Sequence, residues 1–161
     1  ALALRNALPL IWNPDLQAYD AKNLRTGAFA GVLGSGAFLA YLADASNPEL
    51  DAQLMRVWDA VEYGIPSADP EAAIFDARRY WRGPAWPIIN ALIAIGLRDA
   101  GRLDLESRLR AETATLIEKH GFFEYFDPTD ATPCGGSNFT WTAAIWLTWA
   151  GDGRERAKGA A

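Results

Sequence analysis
The stretch from Pro84 to about Arg98 constrains the fold most. Ile88, Ile89, Ala91, Leu92, Ile93, Ile95 and Leu97 leave Asn90 as the residue that breaks its apolar pattern. A helix that is apolar on every side has to be enclosed by others. Two further stretches read the same way. Gly34 to Ala43 is nearly all apolar, with Phe29 to Leu33 as a preceding turn of the same helix, and Phe139 to Ala150 carries Trp141, Trp146 and Trp149. Between these lie amphipathic helices. Asn47 caps one and Pro48 opens it, with Leu50, Leu54, Val57 and Val61 on a single face. Asp104 to His120 forms another, with Leu105, Leu109, Leu116 and Ile117 as its apolar side and Gly121 as its stop. Enclosed helices recur at roughly 50-residue spacing, within the range of structural repeats. That order predicts an all-α chain in two concentric layers, an α/α toroid, of which about five helices are present. Such a piece leaves apolar faces uncovered, so the rest of the ring has to come from a longer polypeptide or another chain.

The bulk properties exclude several function classes. With 161 residues and 50% apolar content the chain suits one domain with a real core. A net charge of −5 argues against nucleic acid and against an anionic membrane surface. No apolar run reaches the roughly 20 residues that span a bilayer. The single cysteine, Cys134, forms no internal disulfide and has no histidine beside it in sequence to activate a thiol. His120, the only histidine, closes an amphipathic helix, where it faces the negative end of the dipole. No His, Cys or acidic cluster has metal-ligand spacing, so neither metal nor cofactor is expected. Gly34-Ser35-Gly36 hints at a nucleotide loop but lacks the third glycine. The first residues lack the layout of a signal peptide. They read as a chain entering mid-structure, in a cytoplasmic setting, as a piece of something longer. Residues 152–161 read as a flexible charged tail.

The stretch Tyr80-Trp81-Arg82-Gly83-Pro84-Ala85-Trp86-Pro87 precedes and opens the enclosed helix. Both prolines suit a first helical turn, and Gly83 lets the backbone pass close to something. Flat rings beside polar donors suit a sugar, whose C–H faces lie on rings while its hydroxyls take directed hydrogen bonds. A well-packed proline-rich turn with core tryptophans uses the same residue types. Glu124 is the sharpest candidate for chemistry. It follows a helix-ending glycine and is flanked by Phe122, Phe123, Tyr125 and Phe126. A carboxylate among aromatics needs a partner if buried, and its environment can tune it for general acid/base work. An exposed loop glutamate remains the plain alternative.

Three motifs together carry a resemblance. They are Tyr80-Trp81-Arg82-Gly83-Pro84-Ala85-Trp86-Pro87-Ile88-Ile89-Asn90, then Gly121-Phe122-Phe123-Glu124-Tyr125-Phe126-Asp127-Pro128, then Gly135-Gly136-Ser137-Asn138-Phe139-Thr140-Trp141-Thr142-Ala143. In this order they resemble the C-terminal half of glycoside hydrolase family 63. The match is nearest the bacterial mannosylglycerate and glucosylglycerate hydrolases and more distant to the trehalases. It implies that residues 1–161 are part of an (α/α)6 barrel, a six-hairpin glycosidase domain, acting as an inverting α-glycosidase on a small α-glucoside or α-mannoside. It implies Glu124 as the general base, which takes a proton from the water attacking the anomeric carbon. It implies Tyr80, Trp81, Gly83 and Trp86 as sugar contacts, with Asn138 near a polar position that meets ligand or water. Inversion needs two carboxyl groups about 6.5–9.5 Å apart. The family's acid aspartate belongs to an earlier motif with no counterpart here, and Asp69, Asp76 and Asp127 read as loop and cap residues. The chain alone is therefore expected to show little or no hydrolysis. The competing functions are a non-catalytic α/α carbohydrate-binding or assembly module, and a lyase or phosphorylase that gives Glu124 another role.

Overall fold
The computed structural model describes residues 2–151, with side chains from residue 5 onward. The tail expected at 152–161 lies outside the described residues. Helix α1 (Leu2–Ala7) runs into a 3-10 turn, Leu8–Ile11. A small hairpin follows, with β1 (Trp12–Asn13) antiparallel to β2 (Ala18–Tyr19). The buried segment expected as an α-helix is instead a 3-10 helix, Ser35–Ala43. Three-residue winding stacks side chains at i and i+3 in line, and Ser35, Phe38 and Tyr41 are all buried on that line. Phe29 is no turn of this helix; it forms an isolated antiparallel bridge with Lys22.

Helix α2 (Pro48–Asp59) begins as its sequence predicts, with the Asn47 side chain accepting from the Leu50 N–H at 2.8 Å. Its buried face is Leu50, Leu54, Val57 and Trp58, while Val61 falls beyond the helix end. Helix α3 (Pro87–Asp99) begins one turn later than expected. Ala85 is drawn into antiparallel bridges with Pro66 and Phe126, which keeps residues 84–86 extended. This helix packs against the 3-10 segment, α4 (Leu103–His120) and α5 (Thr140–Ile145). It is the enclosed element, and a glycine sets its closest crossing. A Cβ on Gly96 would lie 2.6 Å from Tyr41 Cβ and 2.7 Å from the Leu42 nitrogen. Asn90 is fully buried, and its amide has no hydrogen-bond partner among the described residues.

Helix α4 buries Leu105, Leu109, Leu116 and Ile117, the face its sequence predicts. A second hairpin follows, β3 (Tyr125–Phe126) antiparallel to β4 (Pro133–Cys134). Helix α5 passes into a π-turn, Trp146–Ala150. Trp141 and Leu147 on this last element are exposed, at 55% and 76%. The element expected to be enclosed is thus open on one side in this chain. No helix among the described residues is long and apolar enough to cross a membrane.

Candidate active site
Two segments, some forty residues apart, build the site. The first is the loop ahead of α3. Tyr80–Arg82 forms a single 3-10 turn, entered through Tyr80 at φ +45°. Gly83 follows, and the close approach expected there is to the protein's own backbone. A Cβ on Gly83 would lie 2.4 Å from the Asp76 carbonyl oxygen. Its N–H donates to Ser67 Oγ at 3.0 Å, and its carbonyl accepts from the Ser67 N–H. Gly83 is buried and both its polar groups are bonded within the loop.

The second segment is the hairpin after α4. Gly121, at φ +84°, ends the helix in a conformation that favours glycine. Ala85 and Phe126 then exchange both backbone hydrogen bonds, at 2.9 and 3.0 Å. This pair locks the hairpin beside the loop and brings four rings together. Trp81 and Trp86 stack at 4.0 Å and 6°. Trp86 and Tyr125 stack at 4.7 Å and 29°. Tyr80 meets Trp81, Trp86 and Tyr125 edge-on. The Trp86 indole N–H donates to the Tyr80 carbonyl. Trp86 is 2% exposed, while Tyr80 and Trp81 are 51% and 44% exposed. The rings open to a ligand are therefore Tyr80 and Trp81, and Trp86 is the layer beneath them.

Glu124 immediately precedes Tyr125 and is half-buried. Its N–H donates to the Gly136 carbonyl at 3.0 Å, and its Oε2 accepts from the Gly136 N–H at 3.3 Å. Gly135, at φ +72°, makes room for it. A Cβ there would lie 2.6 Å from Glu124 Oε2 and 2.8 Å from a Tyr125 ring carbon. Burial pushes the Tyr125 phenol up, and the charges of Cys134 and Glu124 add to this. Asn138 stands exposed at φ +55° in the loop before α5, beside Phe139, whose N–H donates to the Phe122 carbonyl. His120 is exposed at the end of α4, its ring 6.4 Å from that of Phe126. Among the described residues, no group of three or more His, Cys, Asp or Glu is placed to hold a metal ion.

Sequence reasoning overlooked Tyr125 as a member of the ring cluster and Gly135 as the glutamate's neighbour. It also read Asp127 as a loop and cap residue, which its bond from the Thr129 N–H matches, without the ion pair it makes. Asp127 is 3% exposed and receives Arg78 Nε at 2.9 Å. The double glycine was a visible signal of tight space. The partner of Asp127 was not visible, because 49 residues separate the pair.

Residues 1–142 match the family described as the mannosylglycerate hydrolase MGH1-like glycoside hydrolase domain. The chain is 36% identical over 147 residues to mannosylglycerate hydrolase MGH1 of Selaginella moellendorffii, covering 89% of this chain and 30% of that protein. The crystal structure of the GH63 mannosylglycerate hydrolase from Thermus thermophilus, in complex with glucose, superposes with a TM-score of 0.83 at 33% identity. That match covers 89% of this chain and 38% of the solved one. Neutral trehalase Nth1 of Saccharomyces cerevisiae matches at a TM-score of 0.57 and 15% identity, with 89% of this chain and 28% of that one covered, a likeness of fold alone. The chain thus has the fold of part of an (α/α)6 barrel, and it spans about a third of the length of the relatives it matches.

Proposed function
The chain belongs to the mannosylglycerate hydrolase MGH1-like glycoside hydrolase family, and from that premise we propose that it forms part of an inverting α-glycosidase acting on a small α-glycoside of the glycosylglycerate kind. Glu124 is the general base. Its carboxylate accepts the proton of the water that attacks the anomeric carbon, on the face opposite the leaving group. Tyr80 and Trp81 are the platform for the sugar's C–H face, Trp86 supports them from below, and Asn138 offers a polar contact at the rim. The general acid comes from elsewhere in the barrel. The rest of that barrel, contributed by a further segment or another chain, covers Trp141 and Leu147. The described chain by itself then turns over little or no substrate.

The observation that carries this reading is the path from Glu124 to the platform. Tyr125, next to Glu124, stacks on Trp86, and Trp86 stacks on Trp81. Tyr80 also meets Tyr125 edge-on at 5.8 Å, and this contact between the platform and the residue after Glu124 supports the reading of Glu124 as a base beside the sugar. The test is Glu124→Gln in the protein with its complete barrel. Loss of turnover with retained sugar binding is expected. Unchanged turnover removes the assignment, and turnover that depends on added phosphate points to phosphorolysis instead.

A further inference from the structure
Building on the reading of Glu124 as base, we propose that Arg78 is a positioning residue that holds the Tyr80–Trp81 platform in register with the base-bearing hairpin. Arg78 Nε donates to Asp127 Oδ2 at 2.9 Å. Its Nη2 donates to Asp130 Oδ2 at 2.7 Å and to Thr132 Oγ1 at 3.3 Å. One guanidinium therefore grips both ends of the turn that joins β3 to β4. Asp127 is committed to that turn as well, since its Oδ1 accepts from the Thr129 N–H and hydroxyl at 2.9 and 2.6 Å. Oδ2 is the oxygen left for Arg78. A planar fork with several donors suits this three-point grip, and a lysine ammonium does not reproduce it.

On its own side of the contact, Arg78 belongs to a tightly bonded turn. Its N–H donates to Asp76 Oδ1 at 3.2 Å, the Asp76 N–H donates to the Arg82 carbonyl at 2.8 Å, and Gly83 abuts the Asp76 backbone. Residues 76–83 therefore move together, and fixing Arg78 fixes Tyr80 and Trp81. The Ala85–Phe126 backbone pair is the second tie between the segments. It lies on the other side of the two exposed rings in sequence. With both ties the rings are held at each end; without Arg78 the stretch ahead of Gly83, whose N–H and carbonyl Ser67 holds, loses its tie to the hairpin, and Tyr80 and Trp81 shift about Gly83. Glu124 keeps its bonds to Gly136 in either case. The platform moves and the base does not.

The experiment uses the complete-barrel protein with a glycosylglycerate substrate. Arg78→Ala is expected to raise KM about tenfold while kcat stays within about threefold, because binding surface is lost and the base remains. Arg78→Lys recovers only part of the loss. In a Trp81→Ala background the effect of Arg78→Ala on KM shrinks to the part carried by Tyr80, since the residue acts through that platform. A clamp with a purely structural role would lower the melting temperature without this KM pattern or coupling. Unchanged KM in folded Arg78→Ala, a fall in kcat alone, or full additivity with Trp81→Ala overturns the proposal. Should Arg78→Ala fail to fold, Asp130→Ala removes the exposed arm of the grip; a KM rise of about threefold is expected and an unchanged KM refutes. Failure of the base assignment shows separately, as turnover retained by Glu124→Gln.

Discussion

Replacing Gly135 by alanine probes the seat of Glu124 with a single methyl group. The new Cβ would lie 2.6 Å from Glu124 Oε2, 2.8 Å from Glu124 Cβ and 2.8 Å from Tyr125 Cε1. Ordinary contact begins near 3.4 Å, so the carboxylate oxygen has to retreat by about 0.8 Å. Tyr125 cannot absorb the strain freely, because its ring is stacked on Trp86. The flexible carboxylate yields, while Glu124 Cβ is fixed by its backbone and forces a shift of the loop as well, so Oε2 loses the Gly136 N–H that holds it at 3.3 Å. A displacement approaching 1 Å at a catalytic group costs on the order of 10²-fold in rate. The backbone adds a second cost, since an alanine held at φ +72° is strained by about 1–2 kcal/mol. The expected result is a kcat lower by about 10²-fold, with KM within about threefold because the rings stay in place. The assay is steady-state hydrolysis by the complete-barrel protein, with calorimetric sugar binding and a thermal melt as controls. The melt should fall by a few degrees without loss of the folded state. A kcat within threefold of the parent would refute the claim that the double-glycine loop seats Glu124 for its proposed role as base.

Three further outcomes concern the frame around the site. Burial pushes the Asp69 carboxyl up, but hydrogen bonds from Arg56 and the Glu71 N–H outweigh this and hold it below the ordinary aspartate value. Its stabilisation is complete above the unfolded value near about 3.9 and is lost as pH falls through the lower folded value. The difference in melting temperature between the parent and Asp69→Asn should therefore be widest above about pH 5 and narrow in stronger acid; a difference independent of pH would contradict this. Gly96→Ala sets a methyl against the Tyr41–Leu42 backbone and is expected to destabilise by about 2–3 kcal/mol in urea unfolding. A neutral result would mean that α3 and the 3-10 segment can part without cost. Asn47→Ala removes the cap on Leu50 and should cost about 1 kcal/mol in the same measurement, with Asn47→Asp recovering most of it.

What the sequence determined by itself was whatever its local order encodes. The cap and proline at Asn47-Pro48 set the start of α2, and helix periodicity set the buried face of α4. One enclosed segment, α3, was legible because a helix apolar all round has one place to go, whereas the 3-10 segment expected to be enclosed leaves Leu42 46% exposed. The motif carrying Glu124 and the ring-rich motif at Tyr80 could be singled out from residue types and order. What only the tertiary structure decided was how distant segments meet. Ala85 pairs with Phe126 across 41 positions, and that pairing moves the start of α3 to Pro87. The same contact slides Trp86 beneath Trp81 and Tyr125, so one tryptophan is support and the other is surface. Gly83 shows the distinction at a single residue. Its need for space was readable, but the atom that crowds it belongs to Asp76 in a turn closed by hydrogen bonds. Periodicity and capping act within a few residues of chain. Backbone pairing, ring stacking and ion pairing depend on which segments the folded core brings into contact, and no local pattern records that choice.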